Sequence, residues 1–160
     1  MKADYVIVGG GSAGCVLANR LSEDRGNQVL LIEAGGKDWN PLIHIPAGYM
    51  KLLDHPTLTW GFKADRNSGL NGREINYPRG RVLGGSSSIN GMIYIRSQPE
   101  DYDHWAQLGN RGWSSADVLP YFNKSEKWQG PDKAAHSKDG LLYTSPSRDQ
   151  PELCQAAIEA

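Results

Sequence analysis

At 160 residues the chain has the size of one ordinary domain, long enough to bury a core. Its 17 basic and 18 acidic residues leave a net charge of −1, which removes the electrostatic case for nucleic acid or an anionic membrane as main partner. The balance of 39% hydrophobic and 22% charged residues excludes a disordered chain. Glycine is the outlier, at 19 of 160 residues, about 12% against the ~7% usual in globular proteins. These glycines have no period, which excludes collagen, and they cluster at Gly9–Gly14 and Gly80–Gly91.

The chain opens with Tyr5–Val8, a short continuous apolar run expected to form a strand buried on both faces. Ser12–Glu23 carries Ala13, Val16, Leu17 and Leu21 at helical spacing. Gly26-Asn27 marks a turn, and Val29–Ile32 is a second buried strand. Strand, helix and strand over residues 4–33 predict a βαβ unit with a parallel, right-handed crossover. The four-residue apolar run is too short for a secretory signal. No stretch approaches the ~20 apolar residues of a membrane span. The chain is therefore expected to be cytoplasmic, or peripheral at the inner membrane.

Gly9-Gly10-Gly11-Ser12-Ala13-Gly14 lies between the first strand and the helix, and each glycine of this G-x-G-x-x-G has a mechanical reason. Gly9 turns the chain off the strand, Gly11 lets backbone approach a pyrophosphate, and Gly14 lets the helix pack closely. The helix N-terminus turns unpaired N–H groups toward the phosphates. Glu33 ends the second strand 19 residues after Gly14, where an acid accepts from ribose hydroxyls. Its charge disfavours a 2′-phosphate and hence NADP. FAD and NAD both remain open on this motif.

Residues 34–78 are looser, with a short helix expected near Ala47–Leu53 and a strand near Trp60–Ala64. A helix is expected from Ser97 or Pro99 to about Leu108, with Ser97 and Glu100 at capping-box spacing. Another is expected from Ser115 to about Lys127, capped by Ser114. Leu141–Thr144 reads as a strand. Ser147–Glu152 resembles a helix start, with Leu153, Ala157 and Ile158 beginning an apolar face. The absence of a stop signal before Ala160 is expected either of a truncated chain or of a natural terminal helix that frays. Cys15 and Cys154 are not at metal spacing and are expected to be buried free thiols, with a disulfide as the lesser alternative.

A second loop, Arg79-Gly80-Arg81-Val82-Leu83-Gly84-Gly85-Ser86-Ser87-Ser88-Ile89-Asn90-Gly91, offers bare backbone beside three hydroxyls. It suits a flat polar ring edge that needs close N–H donors. With Met92-Ile93-Tyr94-Ile95-Arg96 after it, this string resembles the signature of the glucose–methanol–choline family of FAD-dependent oxidoreductases. Val6–Gly14, Leu21-Ser22-Glu23, Leu31–Gly35, Asp101-Tyr102-Asp103 with Trp105, and Gly112-Trp113-Ser114 are similar to other parts of that family's N-terminal region.

The resemblance implies a Rossmann-like α/β fold around a parallel sheet, with residues 1–160 forming the N-terminal part of an FAD-binding domain and the substrate domain absent. It implies that Gly9, Gly11, Ser12, Ala13 and Gly14 hold the FAD pyrophosphate and that Glu33 binds the adenosine ribose. Arg81, Val82, Gly84 and Gly85 would line the flavin side, and Asn90, Gly91, Met92 and Ile93 would lie against the flavin. Some members bind FAD covalently through a histidine where this chain has Ile89, so noncovalent FAD is expected. Ser97 stands where glycine is usual, a strain if that position needs positive φ.

The implied activity is oxidation of an alcohol, choline-like or another primary alcohol, with a small-molecule substrate and a separate electron acceptor. An oxygen-using oxidase, a lyase with structural flavin and a non-catalytic dinucleotide-binding module are the alternatives. His44, His55, His104 and His136 match no catalytic motif of the family, and no catalytic residue or metal site is assigned. The piece by itself is expected to be inactive.

Overall fold

The computed structural model describes residues 2–131 and 135–146, which fall into two compact units divided between Ile93 and Tyr94. In the first, β1 (Tyr5–Val8), α1 (Ser12–Leu21) and β2 (Val29–Ile32) form the expected βαβ unit. The strands pair in parallel, with Tyr5 opposite Val29 and Val8 opposite Ile32. α1 ends two residues early. The Asn27 side-chain amide donates to the Leu21 carbonyl at 3.0 Å, which satisfies an orphaned helix-end acceptor there.

The first strand is less buried than its sequence predicts. Only Ile7 is buried, while Val8 is 83% exposed. An all-apolar parallel strand is patterned for cover on both faces, and this sheet has two strands. Cys15 corrects a second expectation, since it is exposed and donates its thiol to the Gly10 carbonyl at 3.3 Å. Gly14 takes the buried position of α1, and the next residue is turned about 100° away from it.

Short 3-10 turns at Pro41–His44 and Pro46–Gly48 lead into α2 (Tyr49–Leu52), close to the expected helix. The core of this unit gathers Leu52, Leu58, Val82 and Ile89, with Leu42 and Ile43 packed against it. Of the expected strand Trp60–Ala64, only β3 (Lys63–Ala64) forms, antiparallel to β4 (Ile75–Asn76). Gly61 at φ +65° interrupts the extended backbone before it. Lys63 and Glu74 close this small ribbon with an ion pair of 2.7 Å.

In the second unit α3 spans Pro99–Gln107. Its cap is Gln98, not Ser97, and the Gln98 N–H donates to Asp101 Oδ2 at 3.1 Å. Proline favours the first helical position and holds its predecessor extended, so Pro99 sets the start. Ser97 is not among the residues with positive φ, so serine there carries no backbone strain. α4 (Ser115–Ser125) begins as expected, the Asp117 N–H donating to the Ser114 hydroxyl at 3.3 Å. Tyr102 of α3 sets its ring edge-on to Phe122 of α4, centroids 5.7 Å apart.

α4 stops at Ser125, short of the expected Lys127. Glu126–Trp128 forms β5, parallel to β6 (Leu142–Thr144). The cause is Glu126, whose side chain is fully buried. It accepts from Arg96 Nη2 at 2.7 Å, His136 Nδ1 at 2.8 Å and the Thr144 hydroxyl at 2.7 Å. Three donors, one of them a guanidinium, outweigh two more helical residues. Among the described residues no helix is long and apolar enough to cross a membrane. The expected helix start at 147–152 and Cys154 lie outside the described residues.

Candidate functional site

Gly9 leaves β1 at φ +99°, a left-handed turn that a side chain would strain. Its N–H donates to the Ile32 carbonyl at 2.7 Å, so the turn stays bound to β2. A Cβ on Gly14 would overlap the Gly9 carbonyl oxygen, which accounts for glycine where α1 meets the turn. Gly11 differs: a Cβ there would meet only the Gly85 Cα, at 4.0 Å. The space in front of Gly11 is open.

Glu33 lies at the mouth of this loop. Its Oε2 accepts from the Gly10 N–H at 2.7 Å and its Oε1 from the Gly35 N–H at 2.8 Å. Each carboxylate oxygen keeps a further lone pair for a hydroxyl donor, and the two amides fix its direction.

The second glycine loop folds onto the first. The Gly84 N–H donates to the Gly10 carbonyl at 2.7 Å, and a Cβ on Gly85 would lie 2.9 Å from the Gly11 Cα. Gly84 and Gly85 have φ of +92° and +59°, so both the close approach and the backbone conformation call for glycine. Val82 bridges in parallel to Gly36, and the Leu83 N–H donates to the Gly36 carbonyl at 2.9 Å. A Cβ on Gly35 would overlap the backbone of Arg81 and Val82. Sequence reading left Gly10, Gly35 and Gly36 out of the site. The signal for Gly35 and Gly36 was the Gly-Gly pair just after Glu33-Ala34, and for Gly10 its place inside the first glycine run.

The remaining expected residues have separate placements. The Val82 side chain is fully buried in the core, which leaves its backbone to face a ligand. The Arg81 guanidinium stacks over the Trp60 ring at 5.2 Å. Asn90 Oδ1 accepts from the Met92 N–H at 2.9 Å, a tight turn that holds Met92 at φ +59°. Gly91 faces the Tyr49 ring, and Ile93 is 81% exposed.

His44 contacts the Asp38 carbonyl at 2.7 Å, and His55 pairs with Asn40 and Thr57. His136 stacks on Trp128 at 4.2 Å beside Glu126, and His104 lies in the last turn of α3. Among the described residues no group of three His, Cys, Asp or Glu side chains could hold a metal ion.

The family model described as GMC oxidoreductase matches residues 3–160. The chain belongs to the GMC oxidoreductase family. An oxygen-dependent choline dehydrogenase of Rhizobium etli (strain CIAT 652) is 47% identical over all of this chain and 29% of its own length. Among solved structures, pyridoxine 4-oxidase from "Mesorbium loti" matches with a TM-score of 0.88 at 39% identity, over 99% of this chain and 31% of that one. An FAD-dependent oxidoreductase from Chaetomium thermophilum matches with a TM-score of 0.80 at 32% identity, over 96% of this chain and 28% of that one. The chain thus spans less than a third of the length of these GMC relatives.

Proposed function

We propose that residues 1–160 are the FAD-binding N-terminal part of an oxidoreductase that oxidises the CH–OH group of an alcohol, choline-like or another primary alcohol. The observation that carries this reading is the open cradle at Gly11, bordered by Gly84 and Gly85. A Cβ at Gly11 would enter that space, while Cβ atoms at Gly14 and Gly85 would strike protein backbone. This is the pattern of a loop kept bare for a ligand on one side and for packing on the other.

The residues fit FAD. Gly9, Gly11, Ser12, Ala13 and Gly14 hold the pyrophosphate, with the N-terminus of α1 supplying N–H groups and a partial positive charge. Glu33, preoriented by two amides, accepts from the adenosine ribose. Arg81, Val82, Gly84 and Gly85 border the flavin side, and Asn90, Gly91, Met92 and Ile93 lie against the ring. When bound, FAD would supply the hydride acceptor for alcohol oxidation, and the protein's part is binding and orientation. Ile89 is 2% exposed in the core and has no nucleophilic atom, which supports noncovalent attachment. Proton acceptance is assigned to no residue of this chain.

Oxygen as electron acceptor is the second reading, favoured by the names of the choline dehydrogenase and pyridoxine oxidase relatives. The proposed substrate is a small molecule, and the proposed location is the cytoplasm or the periphery of the inner membrane. The test is the purified full-length protein. It is expected to be yellow, to release FAD on denaturation without proteolysis, and to reduce an artificial electron acceptor when choline or another primary alcohol is added. Colourless protein that cannot be reconstituted with FAD overturns the assignment.

A further inference from the structure

The three consecutive serines of the second loop have different duties. The Ser86 hydroxyl accepts from the Gly80 N–H at 3.1 Å, and the Ser88 hydroxyl donates to the Leu83 carbonyl at 2.8 Å. Both are occupied inside their own loop. The Ser87 hydroxyl instead crosses 75 positions of sequence to hydrogen-bond with the Ser12 hydroxyl. Ser12 is the first residue of α1, directly after the open cradle at Gly11, and both serines are exposed.

We propose that Ser87 is a positioning residue for the cofactor phosphates, acting through Ser12. This rests on the FAD reading above. In a hydroxyl pair one group donates and the other accepts. When the Ser12 hydroxyl is turned to donate to a phosphate oxygen, its lone pairs face Ser87, which donates to it. Ser87 thereby selects the Ser12 rotor that an anion needs, and a donor that is itself an acceptor is polarised and strengthened. The Gly84–Gly10 bond of 2.7 Å keeps the two loops at the distance this pair requires.

The test is FAD binding to the full-length apoprotein in four forms: wild type, Ser12→Ala, Ser87→Ala and the double variant. Thermal unfolding of each apoprotein and the phosphorus NMR shifts of bound FAD are recorded beside it. Ser12→Ala and Ser87→Ala are each expected to weaken FAD binding about tenfold, the size of one charge-assisted hydrogen bond. The double variant should be no weaker than Ser12→Ala, because Ser87 acts only through Ser12. Both single variants should move the pyrophosphate resonances, and Ser87→Thr should restore affinity and shifts.

Wild-type affinity in Ser87→Ala overturns the proposal. So does a loss that adds fully to that of Ser12→Ala, or one that tracks a fall in apoprotein melting temperature and is not restored by threonine. In each of these cases the wild type still binds FAD. Failure of the wild type to bind FAD instead overturns the cofactor reading.

Discussion

The Gly84 amide donates to the Gly10 carbonyl at 2.7 Å, and this bond, together with the Ser12–Ser87 hydroxyl pair, joins the two glycine loops into one surface. On that surface glycines that look alike in sequence have opposite duties, so substitutions at them should separate binding from folding.

At Gly11 a side chain would meet open space, and its backbone, at φ −80° and ψ −168°, is one that any residue adopts. Gly11→Val should leave the apoprotein folded, its melting temperature within a few degrees of wild type, yet abolish FAD retention. FAD content after gel filtration measures this. Wild-type content in the variant would contradict the cradle assignment.

Gly14 and Gly85 should behave in the reverse order. A Cβ at Gly14 would overlap the Gly9 carbonyl oxygen, and one at Gly85 would press on the Gly11 Cα at 2.9 Å from a backbone at φ +59°. Gly85→Ala should cost roughly 2 kcal/mol of stability, and Gly14→Ala at least as much. Denaturant melts of the apoproteins would show it. Unchanged midpoints would mean that the loops give way more easily than their contacts indicate.

Glu33 serves two amides, from Gly10 at 2.7 Å and Gly35 at 2.8 Å. Glu33→Gln turns one acceptor into an NH2 group that faces a backbone donor, and it removes the charge that strengthens a ribose hydroxyl bond. FAD affinity should fall about tenfold, as read by flavin fluorescence titration. An equal affinity would remove Glu33 from the ribose.

Glu126 predicts acid sensitivity of the second unit. Burial pushes its carboxyl up, but the Thr144 hydroxyl, His136 and Arg96 together outweigh burial and hold it below the ordinary 4.5. With the folded value depressed, the carboxylate's stabilisation is complete above the unfolded value and is lost as pH falls through the folded one. Glu126→Gln leaves Arg96 without its carboxylate and should cost roughly 3 kcal/mol at neutral pH. It should also flatten the fall of stability below about pH 4.5. A variant as acid-sensitive as wild type would place that sensitivity elsewhere.

Much of the loop geometry was legible because glycine patterns report backbone geometry directly. Gly9 does make the turn, Gly14 does carry the close packing, and Ser114 does cap α4, since each depends on a few neighbouring residues. The misreadings share a cause. The end of α4 depends on Glu126 meeting Arg96, His136 and Thr144, and the start of α3 on Pro99 overriding a plausible Ser97 cap. Cys15 is exposed because Gly14, next to it, takes the buried side of the helix.

The amino-acid order by itself determined the βαβ unit at 4–33, both bare loops and the family they resemble, because strand, turn and helix preferences act over a few residues. Only the tertiary structure decided that the loops meet, that Gly35 and Gly36 pack under the second, and that Ser87 rather than Ser86 or Ser88 reaches Ser12. Hydroxyl partners chosen across 75 positions of chain are set by how the backbone closes, and three adjacent serines carry no mark of it.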